Sequence, residues 1–352
     1  MKRNLVKLMK RKLWVYVGGA LALLFFSILV SLSLGSAKIA LLDVWRILLH
    51  QVPFLNQFIT ADWSSADEQI ILQVRLPRVV LAILVGASLA VAGTGFQGIL
   101  RNPLADPYTL GVATGSSLGA AIMIQFGLVS AIGQWTVPLV AFVTGIVTLL
   151  FVFNLSRIGG KMSMETLILA GVVMNAFLGS LVQFLISLST NVVNVILYWL
   201  MGSISMKGWI FSQVLFPYLA IGILVLISYG RALNLVALGE QQASHLGVNV
   251  ERTKIIVLTV ATLLTAAAVS VSGVIGFVGL VVPHMIRLIV GPDYRLIIPL
   301  SIVAGGIYVL GADTIARMLL SPREVQLGII TAFIGAPFFA FLLRKQMVKQ
   351  KG

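Results

Sequence analysis

Long apolar runs recur from one end of this chain to the other, parted by short segments that hold most of its Lys and Arg. A helix that crosses the hydrocarbon core of a membrane needs about 20 largely apolar residues, because lipid gives the backbone no hydrogen-bond partner. Ten segments meet that requirement, near 13–34, 76–98, 108–128, 135–155, 165–188, 210–230, 254–272, 274–290, 296–313 and 325–343. The eighth is short and interrupted by Pro283. The first follows Lys2, Arg3, Lys7, Lys10, Arg11 and Lys12, but its apolar stretch from Trp14 to Leu34 is too long for a secretory signal core, so it reads as an uncleaved helix.

Composition supports this pattern. Hydrophobic residues make up 59% of the 352 residues, charged residues 10%, and the mean hydropathy is +1.04; a water-soluble domain devotes roughly a quarter of its residues to charge. The expected fold class is an all-α membrane protein of about ten transmembrane helices, forming a single polytopic domain over 1–352. Cysteine is absent, which removes disulfides, thiolate metal sites and cysteine nucleophiles.

A net charge of +14 would suit nucleic acid, yet the basic residues form no stripe with interleaved aromatics. They sit between apolar runs, and topology accounts for them. With the N-terminus in the cytoplasm, 18 of the 25 basic residues fall inside; Lys38, Arg46, Arg75, Arg78, Lys207, Arg317 and Arg323 fall outside. The inside-positive bias therefore puts both termini in the cytoplasm of a multi-pass protein of the bacterial inner membrane.

An internal echo joins Gly95-Phe96-Gln97-Gly98, followed by Pro103, to Gly276-Phe277-Val278-Gly279, followed by Pro283. In this topology the two copies run in opposite senses, as in the inverted repeats of transporters, where Gly/Pro-interrupted segments border the substrate path. Gly93, Gly95 and Gly98 either let helices approach closely or border a cavity, and Gly115-x-x-x-Gly119 is a packing motif. Asn175, Gln183 and Gln97 either face a water-filled path or bond between helices.

The longest cytoplasmic loop between spans, Ala237 to Val248, carries its own helix signals. Gly239 can end one helix in a left-handed conformation, Glu240 opens a short helix with a charge that suits its N-terminus, and Gly247 can end it. A compact projecting helix pair of this kind can transmit force to a cytoplasmic partner, and a plain folded loop would look similar. On the opposite face, Arg75-Leu76-Pro77-Arg78 enters the second span and Arg317 closes the ninth. Outward guanidinium groups suit bidentate pairing with carboxylates of an extracytoplasmic partner; the alternatives are snorkelling of Arg75 and Arg78, and pairing of Arg317 with Asp313 four residues earlier.

Catalytic chemistry is missing. His50, His245 and His284 lie far apart without carboxylates at ligand spacing, so no metal site is expected. No phosphate loop occurs, since Gly160-Lys161 is followed by Met162 and lacks the upstream glycine. Nor is there a Ser/His/Asp set or an intramembrane chain of ionisable residues.

These residues resemble the FecCD-type permeases of ABC importers for ferric siderophores, haem and cobalamin. The resemblance runs from Val74 to Leu343 and rests on Arg75 to Arg78, Arg101-Asn102-Pro103-Leu104-Ala105-Asp106-Pro107 with Leu110-Gly111, Leu238-Gly239-Glu240 with His245-Leu246-Gly247-Val248, Gly276 to Leu280 with Pro283-His284 and Arg287, and Gly335-Ala336-Pro337-Phe338. It implies a type II importer subunit of ten helices. That subunit dimerises, with itself or with a related permease, above two cytoplasmic ATPases and below an extracytoplasmic binding protein. The resemblance also implies that Leu238, Gly239, Glu240, His245, Leu246 and Gly247 form the ATPase-docking loop, and that Arg75, Arg78 and Arg317 meet acidic residues of the binding protein. The chain itself would bind no cofactor, ATP-Mg being held by the partner subunits. Its expected cargo is a ferric siderophore-type chelate, with cobalamin or haem as alternatives; a secondary carrier or channel and an intramembrane enzyme are the competing classes.

Overall fold

The computed structural model describes residues 2–35, 37, 39–128, 133, 135–158 and 161–351; Lys38 and Gly160, used above, lie outside them. The chain folds as α1 (Lys2–Ser33), α2 (Leu41–His50), α3 (Ser65–Gln69), α4 (Leu76–Ile99), α5 (Val112–Gln125), α6 (Thr136–Leu155), a two-residue hairpin β1–β2 (Arg157–Ile158 with Lys161–Met162), α7 (Met164–Leu188), α8 (Val193–Leu200), α9 (Trp209–Ser228), α10 (Gly230–Val236), α11 (Glu240–His245), α12 (Val250–Ser272), α13 (Val278–Val290), α14 (Tyr294–Met318) and α15 (Leu327–Lys351). Among the described residues, seven helical segments are long and apolar enough to cross a membrane: α1 from Trp14, Ser65–Ile99, α6, α7, α9, α12 and α14.

The other three spans read from the sequence are shorter. The third is broken: a 3-10 turn at Pro107–Leu110 and a left-handed Gly111 (φ 80°) precede α5, which has only 14 residues. α13 has 13 residues and is entered through Gly273 (φ 70°) and Phe277 (φ 68°). At 1.5 Å per residue each of these helices spans roughly 20 Å, less than the ~30 Å core. The third shorter segment is the apolar part of α15, Leu327–Phe341. Such interrupted backbone survives at membrane depth only where protein supplies its hydrogen bonds. Here Tyr108 Oη donates to Ile275 O (2.9 Å) and accepts from Ile275 N (3.3 Å), joining the two breaks.

α4 is the central element. Every residue from Val85 to Ile99 is buried, and 83% of its apolar window is inside the protein against 11% for peripheral α1. Lipid tails are as apolar as leucine, so helices in a membrane are held by close packing and interhelical hydrogen bonds. The sequence of α4 meets that need with glycine on several faces. A Cβ on Gly86 would strike the backbone of Gly305 in α14, and one on Gly93 would strike the backbone of Gly279 in α13. Gly95 faces Val257 and Ala261 of α12, while Gly98 faces Leu233 and Tyr294. All three glycines singled out from the sequence are therefore helix-packing positions. In the same manner Gly115 and Gly119 of α5 face Thr148 and Thr144 of α6.

The two segments of the sequence echo meet in space, although the first is helical and the second straddles the entry to α13. Pro283 has no N–H to give the Gly279 carbonyl one turn earlier. Gln97 compensates: its Nε2 donates to Gly279 O (3.3 Å) and Leu280 O (3.0 Å). Asn175 likewise bonds between elements, donating to Tyr108 O (3.1 Å), whereas Gln183 is exposed on α7.

Replacing Gly93 by leucine should destabilise the bundle by about 3 kcal/mol or prevent folding, because two backbones in contact cannot absorb a side chain as a flexible core does. Unfolding in mixed micelles checks this, with Gly18→Leu, on an exposed helical position where a Cβ meets no atom within 4 Å, as the control for steric crowding.

Candidate functional site

The polar chemistry lies at the two ends of the bundle. α4 enters at Arg75 and Arg78 and leaves at Gly98 beside Leu233 of α10, so the arginine residues and the α10–α11 loop are at opposite ends.

At the arginine end, Arg75, Arg78 and Arg317 are only 4%, 7% and 5% exposed. None of the three reaches into solvent, and each is engaged within the chain. Arg75 donates to the carbonyls of Leu32 (2.8 Å) and Ala37 (2.6 Å), closing the turn after α1. Arg78 is gripped on two edges. Its Nε and Nη2 bond to Asp313 (2.9–3.1 Å), and its Nη1 and Nη2 bond to Glu324 Oε1 (2.8 Å) and Oε2 (3.0 Å). Arg317 Nη2 donates to Ser31 O (3.1 Å) and Oγ (2.7 Å), and its Nε approaches Asp313 Oδ2 to 3.3 Å without hydrogen-bond alignment. The helix pairing of Arg317 with Asp313 was legible as an i,i+4 spacing. The Arg78 contacts were not, since Asp313 and Glu324 stand 235 and 246 residues away.

Burial explains this inward arrangement. A guanidinium taken out of water is strongly destabilised unless carboxylates and carbonyls surround it. Desolvation alone would raise the Glu324 carboxyl, but the hydrogen bonds and charge of Arg78 overcome it and hold Glu324 below its ordinary value. A polar cavity of about 250 Å³ adjoins the cluster, lined by Arg78, Ser203, Ser205, Asp313, Glu324 and Gln326.

At the other end, α11 projects as a single short helix. Gly239 precedes it with φ 129° and ψ 150°, a conformation in the glycine-only region rather than the left-handed helical one expected from the sequence. Gly247 (φ 85°) ends it, and Val248 N donates to Ala243 O (3.0 Å), the six-residue closure typical of a glycine-terminated helix. Ala243 is buried beneath and Glu240 Oε2 pairs with Lys254 Nζ at 2.7 Å, so the helix is fixed to α12. His245 is exposed. Leu238 and Leu246 flank the helix at 64% and 61% exposure, which leaves two large apolar side chains on a projecting tip.

Along α15 runs an apolar groove of about 630 Å³, lined among others by Met201, Val274, Gly276, Gly328, Phe333 and Pro337. Phe333 is 73% exposed. Gly276 and Pro337 belong to separate motifs of the sequence, and only the fold brings their elements onto one surface. Among the described residues no group of His, Asp and Glu is arranged to hold a metal ion. His284 is buried against Phe339, and His50 stacks edge-on with Trp63.

The sequence profile of the FecCD transport family matches residues 23–345. This chain belongs to the FecCD transport family. The match begins well upstream of Val74, where the resemblance above started. Similar proteins include an ABC transporter permease protein of Bacillus subtilis, 42% identical over 97% of this chain and 96% of that one. A cobalamin import system permease protein of Halobacterium salinarum is 43% identical over 78% and 73%, and a hemin transport system permease protein of Yersinia pestis is 38% identical over 92% and 95%. A solved inward-facing structure assigned to a metal-chelate type ABC transporter superposes with a TM-score of 0.80 at 32% identity, covering 94% of this chain and 98% of the other. The FecCD chain is thus an ABC importer permease subunit and a multi-pass protein of the cell membrane.

In this permease, Asp313→Ala should destabilise the fold by about 3–5 kcal/mol, since it leaves Arg78 and Arg317 buried without their shared carboxylate; chemical unfolding of the detergent-solubilised protein reads it. Acid acts on the same cluster. Glu324 has a lowered native value, so its contribution to stability is complete above pH 4.5, its ordinary value, and disappears as pH falls through the native one. Glu324→Gln should remove that part of the acid sensitivity.

Proposed function

We propose that this permease moves a bulky metal chelate across the cytoplasmic membrane, driven by separate ATPase subunits that dock on the α10–α11 loop. The observation that carries the reading is the tip itself: Leu238 and Leu246 exposed on either side of a short helix that Glu240–Lys254 and Ala243 fix to α12. A rigid lever with an apolar end is suited to a cleft on a moving partner. In this reading both termini are cytoplasmic and the arginine end faces outward. A second permease copy, identical or related, packs beside the α15 groove, an extracytoplasmic binding protein delivers the cargo, and ATP-Mg is held by the ATPases alone. The chain performs no chemistry of its own. Closure of the ATPases displaces the loops, the helices along the dimer axis follow, and a weakly interacting apolar path opens to one side at a time.

A ferric siderophore-type chelate is the cargo we favour, because several relatives carry iron-related names: ferric dicitrate, ferric citrate, iron-hydroxamate and hemin permeases. The 43% identity to a cobalamin permease supports cobalamin as the second reading. Uptake of radiolabelled ferric chelates and cobalamin into vesicles containing the permease with its ATPase separates the two, and uphill uptake by the permease alone overturns both.

The docking loop has its own test. Gly239→Val places a side chain where φ is 129° and against Gln242, and Leu238→Ser with Leu246→Ser removes the apolar tip. Each variant should insert normally yet lose at least tenfold in ATP-driven uptake and in co-purification with the ATPase. Undiminished coupling would reject the loop as the docking element.

A further inference from the structure

Arg75, Arg78 and Arg317 are each buried and engaged within the chain, so a partner's carboxylate meets no open guanidinium among them. Their internal partners differ in how firmly they are held. The Asp313 side chain is 1% exposed and serves both Arg78 and Arg317, so displacing it would strand buried charge. Glu324 is different: its side chain is 35% exposed, it contacts Arg78 along one edge only, and on release it would enter water. The cavity beside that edge, about 250 Å³, is far larger than a single water needs and is lined by Ser203, Ser205 and Gln326. An incoming carboxylate thus has both room and polar walls.

The neighbouring residue completes the arrangement. Arg323 is exposed, directly precedes Glu324, and lies on the connection from α14 to α15, where its N–H donates to Leu320 O (3.0 Å) and Val325 N donates to Ala316 O (3.0 Å). Three buried guanidinium groups, Arg75, Arg78 and Arg317, accompany two carboxylates, Asp313 and Glu324, with Asp67 acting on Arg75 from one side. The excess charge is positive, and Arg323, exposed next to Glu324 in the chain, adds to it at the surface.

We infer that the 319–326 connection is a carboxylate-exchange latch: Arg323 is the first contact for an acidic side chain of the extracytoplasmic partner, and Glu324 is an internal stand-in that yields Arg78 to it. The inference rests on the docking role proposed for the arginine end and specifies its partner chemistry and regulation. Exchange acts at the root of α15, because Glu324 lies three residues before Leu327, whose N–H donates to Gly202 O (3.1 Å), and Gly328 N donates to Met201 O (2.9 Å). The same helix lines the apolar groove. Binding at the arginine end is thereby connected to the helix along the proposed path by one short segment.

The test uses the full-length permease in nanodiscs and a fluorescent ten-residue polyglutamate peptide as the acidic probe, with affinity read by anisotropy at low and physiological salt. Glu324→Gln, which removes the competitor, should tighten probe binding five- to tenfold and speed amide exchange at 325–330. Arg323→Gln should weaken binding severalfold and flatten its salt dependence. Adding Arg78→Gln to the Glu324 variant should cancel the gain. Should Glu324→Gln misfold, Glu324→Asp, which keeps the charge but shortens its reach to Arg78, should give a smaller tightening. If removing or shortening Glu324 loosens the loop without strengthening binding while Arg78→Gln still weakens it, Glu324 is structural only and the latch is wrong, although docking at this end stands. If neither Arg78→Gln nor Arg323→Gln changes probe binding, the docking reading fails and the latch with it.

Discussion

Close contact between backbones around α4 is the constraint on which the rest of this structure depends. In lipid, apolar side chains gain little by meeting one another, so a central helix has to be held by van der Waals contact at the shortest range and by hydrogen bonds its neighbours lack. Gly86 against Gly305 and Gly93 against Gly279 supply the first. Gln97 supplies the second, answering the Gly279 carbonyl that Pro283 leaves short of a donor, together with the adjacent Leu280 carbonyl. Once α4 is fixed, α12, α13 and α14 are placed around it, and the short helices α5 and α13 can begin inside the protein because Tyr108 and Ile275 satisfy each other where both chains break.

The two ends of the bundle resolve charge in opposite ways. At the arginine end the side chains are drawn inward, because Asp313, Glu324 and the carbonyls of Ser31, Leu32 and Ala37 can surround them. At the other end the ion pair Glu240–Lys254 fixes a short helix whose apolar residues then remain outside. The first arrangement ties α1, α4, α14 and the entry to α15 into one polar cluster; the second presents a rigid hydrophobic tip. Membership of the FecCD transport family, together with a TM-score of 0.80 to an inward-facing ABC transporter structure, gives these ends a common context in an ABC importer permease.

Between them, α15 is open on one side, with Phe333 and Phe341 exposed and an apolar groove along it. A membrane helix with an open apolar face touches lipid or another protein, and here it is also the helix that the arginine-end connection leads into. Its start is hydrogen-bonded to the segment around Met201 and Gly202, so movement of the connection and of the helix are not independent.

The sequence alone determined the class of protein, the rough placement of ten apolar helices, the glycine-bounded helix at 240–245 and the family, because hydropathy, helix-terminal glycines and contiguous motifs are local properties that a chain carries wherever it folds. It also carried the Arg317–Asp313 spacing, one turn apart on a single helix. Only the tertiary structure decided that Gly93, Gly95 and Gly98 are packing positions, that the third span is broken at Gly111, and that Arg78 is buried between Asp313 and Glu324. Those outcomes depend on residues as many as 246 positions apart being brought together, and no periodicity or nearby motif encodes which carboxylate will reach a given guanidinium.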